Sequence, residues 1–174
     1  MDIEELKQRA QNDDPDACFD LGLIYQKGCE VERDLTEAIF YYKKAIKSGD
    51  ISAAFNLGII FLNADNQEAM KWFKIAAEKG HDKSQNILGD FYYRMRKKTE
   101  ARKWYTLAAE SGHVFAQHNL AILLQNNDAK ILEIETEQAR LKEMIYWYEK
   151  ASEQNDPSAL YNLGRCYLMP TERT

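Results

Sequence analysis

A chain of 174 residues can bury one ordinary core or a row of small ones, and 45% apolar with 29% charged residues is a globular mixture. A formal charge of −5 argues against nucleic acid as a partner, because phosphate contacts need clustered Lys and Arg. No run approaches the roughly 18 apolar residues of a membrane span, and the start Met1-Asp2-Ile3-Glu4-Glu5 lacks the basic opening and apolar stretch of a signal peptide. The expectation is a cytoplasmic chain with no membrane insertion. Cys18, Cys29 and Cys166 show no C-x-x-C spacing, which fits a reduced compartment.

In chain order, residues 3–12 read as a leading helix with Ile3, Leu6 and Ala10 on one stripe. Two phrases then alternate. The first is a small residue, three others, Leu-Gly, two others and an aromatic. It appears as Ala17…Leu21-Gly22…Tyr25, Ala53…Leu57-Gly58…Phe61, Ser84…Leu88-Gly89…Tyr92 and Ala159…Leu163-Gly164…Tyr167. A degraded copy is Ala116…Leu120-Ala121…Leu124. The second phrase pairs two aromatics with alanines and ends in Gly: Ala38…Tyr41-Tyr42…Ala45…Gly49, Ala69…Trp72-Phe73…Ala76…Gly80 and Ala101…Trp104-Tyr105…Ala108…Gly112. Its last copy is Trp147-Tyr148…Ala151…Asn155.

Both phrases have helical spacing, since positions i, i+4 and i+8 share one stripe. Gly beside Leu costs about 1 kcal/mol of helix propensity against Ala, so it predicts a close approach of two helices. The terminal Gly, or Asn155, suits the left-handed residue that stops a helix. Asp16, Asp34 and Asp82 stand where a helix start favours a carboxylate. The units are therefore helical hairpins at residues 15–49, 51–80, 82–112 and 114–155, closed by a half unit at 157–168, about ten helices in all. Beyond the last helix, Pro170 and its neighbours offer no second-phrase helix, which predicts poor cover for Tyr161 and Leu163.

The run Ala17-x-x-x-Leu21-Gly22-x-x-Tyr25-x-x-Gly28, then Val31-x-x-Asp34-x-x-x-Ala38-x-x-Tyr41-Tyr42-x-Lys44-Ala45, resembles a Sel-1-like repeat, a relative of tetratricopeptide repeats. The resemblance covers roughly residues 3–168, with the loop intact only in the first unit, where Glu30 replaces its second glycine. It implies an all-α fold, a right-handed α-α superhelix of antiparallel helix pairs forming one domain over residues 1–174. It also implies a protein-binding role without cofactor or catalysis: an adaptor, a regulator, or a bacterial immunity-type inhibitor of a toxin or effector. A piece of a larger regulatory or scaffold protein is the alternative. In a disulfide-rich branch of the family the Cys18 slot carries half of a bridge, but its partner slot here is Ile46.

The residues themselves offer little chemistry. His81 and His113 share one slot after helix-ending glycines and are expected to close a turn; a solenoid step of about 10 Å is too long for a shared metal. His118 faces a groove or fills space. Cys18 and Cys166 are expected to be small core residues, and Cys29 an exposed, unactivated thiol. No phosphate loop, H-E-x-x-H or nucleophile elbow occurs, so neither catalytic nor metal residues are assigned.

Function then falls to surfaces. With about 100° per residue, positions two before, two after and five after the phrase Leu lie opposite its buried stripe. In tetratricopeptide-like solenoids that side lines the concave groove. It carries Phe19, Leu23 and Gln26, then Phe55, Ile59 and Leu62, an apolar half. It continues with Asn86, Asp90 and Tyr93, with His118, Ile122 and Gln125, and with Tyr161, Arg165 and Leu168, a more polar half. Two readings stay open: a partner-binding patch, or side chains packed against neighbouring helices. Arg94, Arg96, Lys97 and Lys98 crowd one turn, either solvated or meeting an acidic partner. The insertion from Asn126 to Glu143 brings Ile131, Leu132, Ile134, Leu141 and, just beyond it, Met144, which need a surface to cover on this chain or another.

Overall fold

The computed structural model describes every residue except 1, 63, 128 and 169–174, so Pro170 lies outside the described residues. It contains ten helices and no strand among the described residues. They are α1 (Ile3–Gln11), α2 (Pro15–Lys27), α3 (Leu35–Lys47), α4 (Ile51–Phe61) and α5 (Asn66–Glu78). There follow α6 (Asp82–Arg94), α7 (Lys98–Glu110), α8 (Val114–Gln125), α9 (Glu137–Glu153) and α10 (Pro157–Leu168). No described helix is long and apolar enough to cross a membrane.

Two compact units, Met1–Ser84 and Gln85–Thr174, each have a core of phrase residues. In the first, Ala17, Leu21, Ala38, Tyr42, Ala45, Ala53 and Leu57 are fully buried. In the second, Ala101, Ala108, Ala116, Leu120, Leu124, Tyr148 and Ala151 are. The small residues let the helices approach, and the rings fill the space between them.

Glycine marks those approaches. A Cβ added at Gly22 would stand 2.5 Å from the Tyr42 ring, and one at Gly58 2.5 Å from the Phe73 ring. A Cβ added at Gly164 meets nothing within 4 Å among the described residues, so the close-approach reading holds for the inner units and not for α10.

The helix starts form a pattern of their own. The slot seven residues before the phrase Leu holds Asp14, Asp50, His81, His113 and Asp156. Asp14 accepts from the N–H groups of Asp16 and Ala17, Asp50 from that of Ala53, and Asp156 from those of Ser158 and Ala159. His81 Nδ1 accepts the Ser84 N–H, and His113 Nδ1 the Ala116 N–H, each at 3.2 Å. The two histidines therefore open the following helix as N-caps, doing with a ring nitrogen what aspartate does elsewhere. Asp34 caps α3, and Asp16 and Asp82 sit within the first turn, facing the helix dipole, the two places expected for a carboxylate at a helix start. Gly49, Gly80, Gly112 and Asn155 take the left-handed conformation that ends each second-phrase helix.

The insertion covers this chain. Leu132 is fully buried and Met144 nearly so, with Ile134 and Leu141 packed on the same cluster; Ile131 is 51% exposed. Glu137 ties the loop to α9 by accepting the Ala129 N–H at 2.6 Å, and the Arg140 guanidinium reaches the Leu124 carbonyl. The Ala129 bond, helped by Arg140, holds the Glu137 carboxyl below the usual range.

Candidate partner-binding faces

In the first unit, α2 and α4 both pack on α3 and carry the apolar set. Phe19, Leu23, Phe55 and Leu62 are half-buried, and Ile59 is 36% exposed. Each ring leans on a core aromatic: Phe19 on Tyr42 and Phe55 on Phe73, both at 5.9 Å between centroids. Phe55 also meets the His81 ring at 4.7 Å. These side chains are thus neither core nor free, and one flank of each stays open.

In the second unit the same helical side carries a hydrogen-bonded lattice. The Tyr105 hydroxyl donates to Asp90 Oδ1 at 2.6 Å, and Asn119 Nδ2 donates to Asn86 Oδ1 at 3.1 Å and to Asp90 at 3.4 Å. His118 Nδ1 lies 3.3 Å from Asp156 Oδ2, and its Nε2 lies 3.5 Å from Asn162 Nδ2. His118 is therefore held between a capping carboxylate and the closing helix, a structural placement. Ile122 is half-buried on α8, while Tyr161 and Arg165 are exposed on α10 with the guanidinium 5.9 Å from the ring.

A signal went unread in the sequence. Asn stands immediately before the phrase Leu at Asn56, Asn119 and Asn162. Asn56 Nδ2 donates to the Tyr42 hydroxyl, which itself donates to Gln26 Oε1 at 2.6 Å. Each of the three asparagines thus links its helix back to the preceding hairpin, at Tyr42, Asp90 and His118. The tripeptide Asn-Leu-Gly, twice intact, was the clue.

Asp90 gives this lattice a pH signature. Burial pushes its carboxyl above the usual carboxylate range, against the lowering effect of the Tyr105 hydrogen bond. A raised folded-state value contributes stability that is present below the unfolded carboxylate value and lost as pH rises through the folded one. Asp90→Asn keeps an acceptor oxygen and never ionises. It is expected to match or exceed the parent melting midpoint at pH 7, with the difference closing toward about pH 4. A lower midpoint for the variant at pH 7 contradicts this reading.

Arg94, Arg96 and Lys97 are exposed on the α6–α7 turn, and Lys98 Nζ sits 4.3 Å from the Tyr93 ring centroid. That contact holds Lys98 and Tyr93 together on the edge of the face. Arg96 has a φ of 63°, so this turn closes through a left-handed arginine.

Among the described residues, no three His, Cys, Asp or Glu side chains are grouped to hold a metal. Burial pushes the Cys18 and Cys166 thiols up, and Cys29 is exposed. Incubation with chelator, or alkylation of accessible thiol, is expected to leave the helical signal and melting midpoint unchanged. Unfolding on chelation contradicts the metal-free account of the histidines.

The sequence matches the Sel1 repeat family over residues 15–50, 51–81, 83–113, 145–156 and 157–171. A sel1-like repeat-containing protein, L21, of Acanthamoeba polyphaga mimivirus is 28% identical over 91 residues, 52% of this chain and 17% of that protein. Among solved structures, c5321, a protective antigen present in uropathogenic Escherichia coli strains and displaying an SLR fold, is similar with a TM-score of 0.81 at 30% identity. That match covers 96% of this chain and 36% of the other. A Sel1 repeat protein from Oxalobacter formigenes aligns with a TM-score of 0.69 at 25% identity, over 92% of this chain and 65% of that one. MamA shares the fold with a TM-score of 0.57 at 20% identity. The chain thus spans about a sixth to two thirds of the length of the first three relatives.

Proposed function

Because this chain belongs to the Sel1 repeat family, we propose that it works by holding a partner protein, without catalysis, and that the open side of α2 and α4 anchors that partner. The observation that carries this reading is the half-open apolar set Phe19, Leu23, Phe55, Ile59 and Leu62 on two helices sharing one support, α3. Aromatic and branched side chains seated on a rigid core, with one flank exposed, supply affinity with little ordering cost. The second unit carries a face of its own, the lattice of Asn86, Asp90, Asn119 and His118 with Tyr93, Ile122, Tyr161 and Arg165, which offers a partner polar as well as apolar contacts. The Arg94, Arg96, Lys97 and Lys98 turn would favour an acidic flank on the partner through long-range attraction.

Adaptor, regulator and inhibitor of a toxin or effector share this interface chemistry and differ only in the partner held. The test is a Phe55→Ala substitution, read in binding and in melting together, with exposed Glu78 as the control position.

A further inference from the structure

We propose that the outer side of α3, built on Phe40, Lys43 and Lys47, docks an acidic segment of another protein that carries one bulky apolar side chain among its carboxylates. Phe40 is 57% exposed, and Lys43 and Lys47 follow it at helical steps of three and four, so all three share one side of the helix. Together with Asp13, Lys44 and Ser48 they line a depression of about 580 Å³. Both of its flanks are made by this chain. Lys44 reaches the Ala10 carbonyl of α1, and Lys43 Nζ sits 6.0 Å from the ring centroid of Trp72 on α5. The opening thus lies on a helix with two helices of the first unit before it in the chain and two after.

Equivalent helices treat this side differently. The slot of Lys47 holds Glu78 in α5, Glu110 in α7 and Glu153 in α9. Two of those glutamates complete ion pairs, Glu78 with Lys74 at 3.8 Å and Glu153 with Lys150 at 2.8 Å. In α3 the same spacing sets Lys43 against Lys47, a like-charge pair four residues apart that works against the isolated helix. Lys44 is compensated by Asp13 at 3.1 Å, whereas among the described residues no carboxylate pairs with Lys43 or Lys47. Phe40 likewise departs from the lysine of the same slot in α5 and α7, Lys71 and Lys103, and shares an aromatic there only with Tyr146 of α9.

A short acidic segment answers these departures. Two uncompensated ammonium groups on successive turns match acidic residues spaced by two in an extended segment, or by three or four on a helix. The exposed Phe40 ring beside them offers contact area that a bare polyanion cannot use. A net charge of −5 on the chain opposes a nucleic acid or an anionic bilayer, which extend like charge far beyond two lysines. A short segment ends with the patch. Lysine meets carboxylates as a point charge without a fixed fork, so the attraction acts at a distance and falls with salt. This surface is separate from the open side of α2 and α4 and stands whether or not that side holds a partner.

The probe is a fluorescein-labelled peptide, Glu-Asp-Glu-Phe-Glu-Asp-Glu, titrated with the full chain and read by fluorescence anisotropy. It is expected to bind saturably, to weaken as salt rises, and to weaken about threefold when glycine replaces its phenylalanine. Lys47→Glu restores the residue type of the other hairpins and is expected to weaken binding about tenfold. Its melting midpoint is expected to hold, because the repulsion it relieves and the helix-dipole contact it loses are of similar size. Phe40→Ala, at an exposed ring, is the second variant and is expected to weaken binding about threefold. Lys27→Glu, the same charge change at the far end of the α2–α3 hairpin, is expected to bind as the parent does. The proposal is overturned if the peptide fails to bind saturably, or if Lys47→Glu and Phe40→Ala both bind as the parent does. It is also overturned if Lys27→Glu weakens binding as much as Lys47→Glu, since overall charge would then be the cause. Phosphatidylserine vesicles or a single-stranded oligonucleotide that bind more tightly than the peptide, and lose that binding in Lys47→Glu, overturn it in favour of the other occupant.

Discussion

Replacing Leu132 by alanine is expected to lower stability by about 2–5 kcal/mol, the range for truncating a large aliphatic side chain in a packed core. Leu132 lies in the stretch that departs from the repeat, yet it is fully buried in the cluster of Leu124, Met144 and Tyr148. Its removal opens a cavity that α8 and α9 fill only by moving, and both are fixed by their mutual packing. Ile131 is the matched control: it is adjacent, equally apolar and half exposed, so Ile131→Ala is expected to change stability by about 0.5 kcal/mol or less. Denaturant melts of the pair decide it. Equal effects at the two positions contradict the account of the insertion as part of this chain's own core.

Gly58→Leu is the second large effect, a loss of about 1–3 kcal/mol through overpacking. Even the first carbon of a new side chain would stand 2.5 Å from the Phe73 ring, which is fully buried and cannot swing aside. Helix propensity alone predicts the opposite sign, since leucine is the better helix former by about 1 kcal/mol. The two terms are therefore separable by one melt. The same substitution at Gly164 meets open space among the described residues and is expected to be harmless to folding. A destabilisation at Gly164 as large as at Gly58 contradicts the assignment of Leu-Gly to helix contact.

The hairpins were legible because their information is local: Ala17, Leu21 and Tyr25 fall on one stripe whatever else the chain does. Helix ends were legible where glycine alone permits the backbone, as at Gly49, Gly80 and Gly112. Starts were harder. Asp16 faces the dipole of α2 from its first turn, while Pro15 takes the first helical position and leaves the capping role to Asp14, which no apolar stripe marks. The histidine caps were obscured because an imidazole matches aspartate only when its Nδ1 is presented to a backbone N–H, a matter of rotamer. The Asn56, Asn119 and Asn162 links need two hairpins in register, and no single helical wheel reports that. For the insertion, Leu132 and Ile134 announced surplus apolar surface without saying which surface they meet. Ideal helix angles place Phe19 and Phe55 opposite the buried stripe of their helices. How far Tyr42, Phe73 and His81 would cover them depended on packing, and they came out half covered.

The measurement that tests the central claim most directly is partner binding and melting recorded on the same Phe55→Ala protein. Phe55 leans on Phe73 and His81 but keeps one flank open, so truncation removes exposed contact surface as well as some packing. The account predicts a loss of about 2 kcal/mol in binding, roughly thirtyfold in affinity, beyond any change in the folded fraction. Glu78→Ala, on the exposed side of α5, is expected to change binding by well under 1 kcal/mol. A Phe55→Ala protein that is fully folded and binds its partner with parental affinity contradicts the account, because the open side of α2 and α4 would then not be the surface that holds the partner.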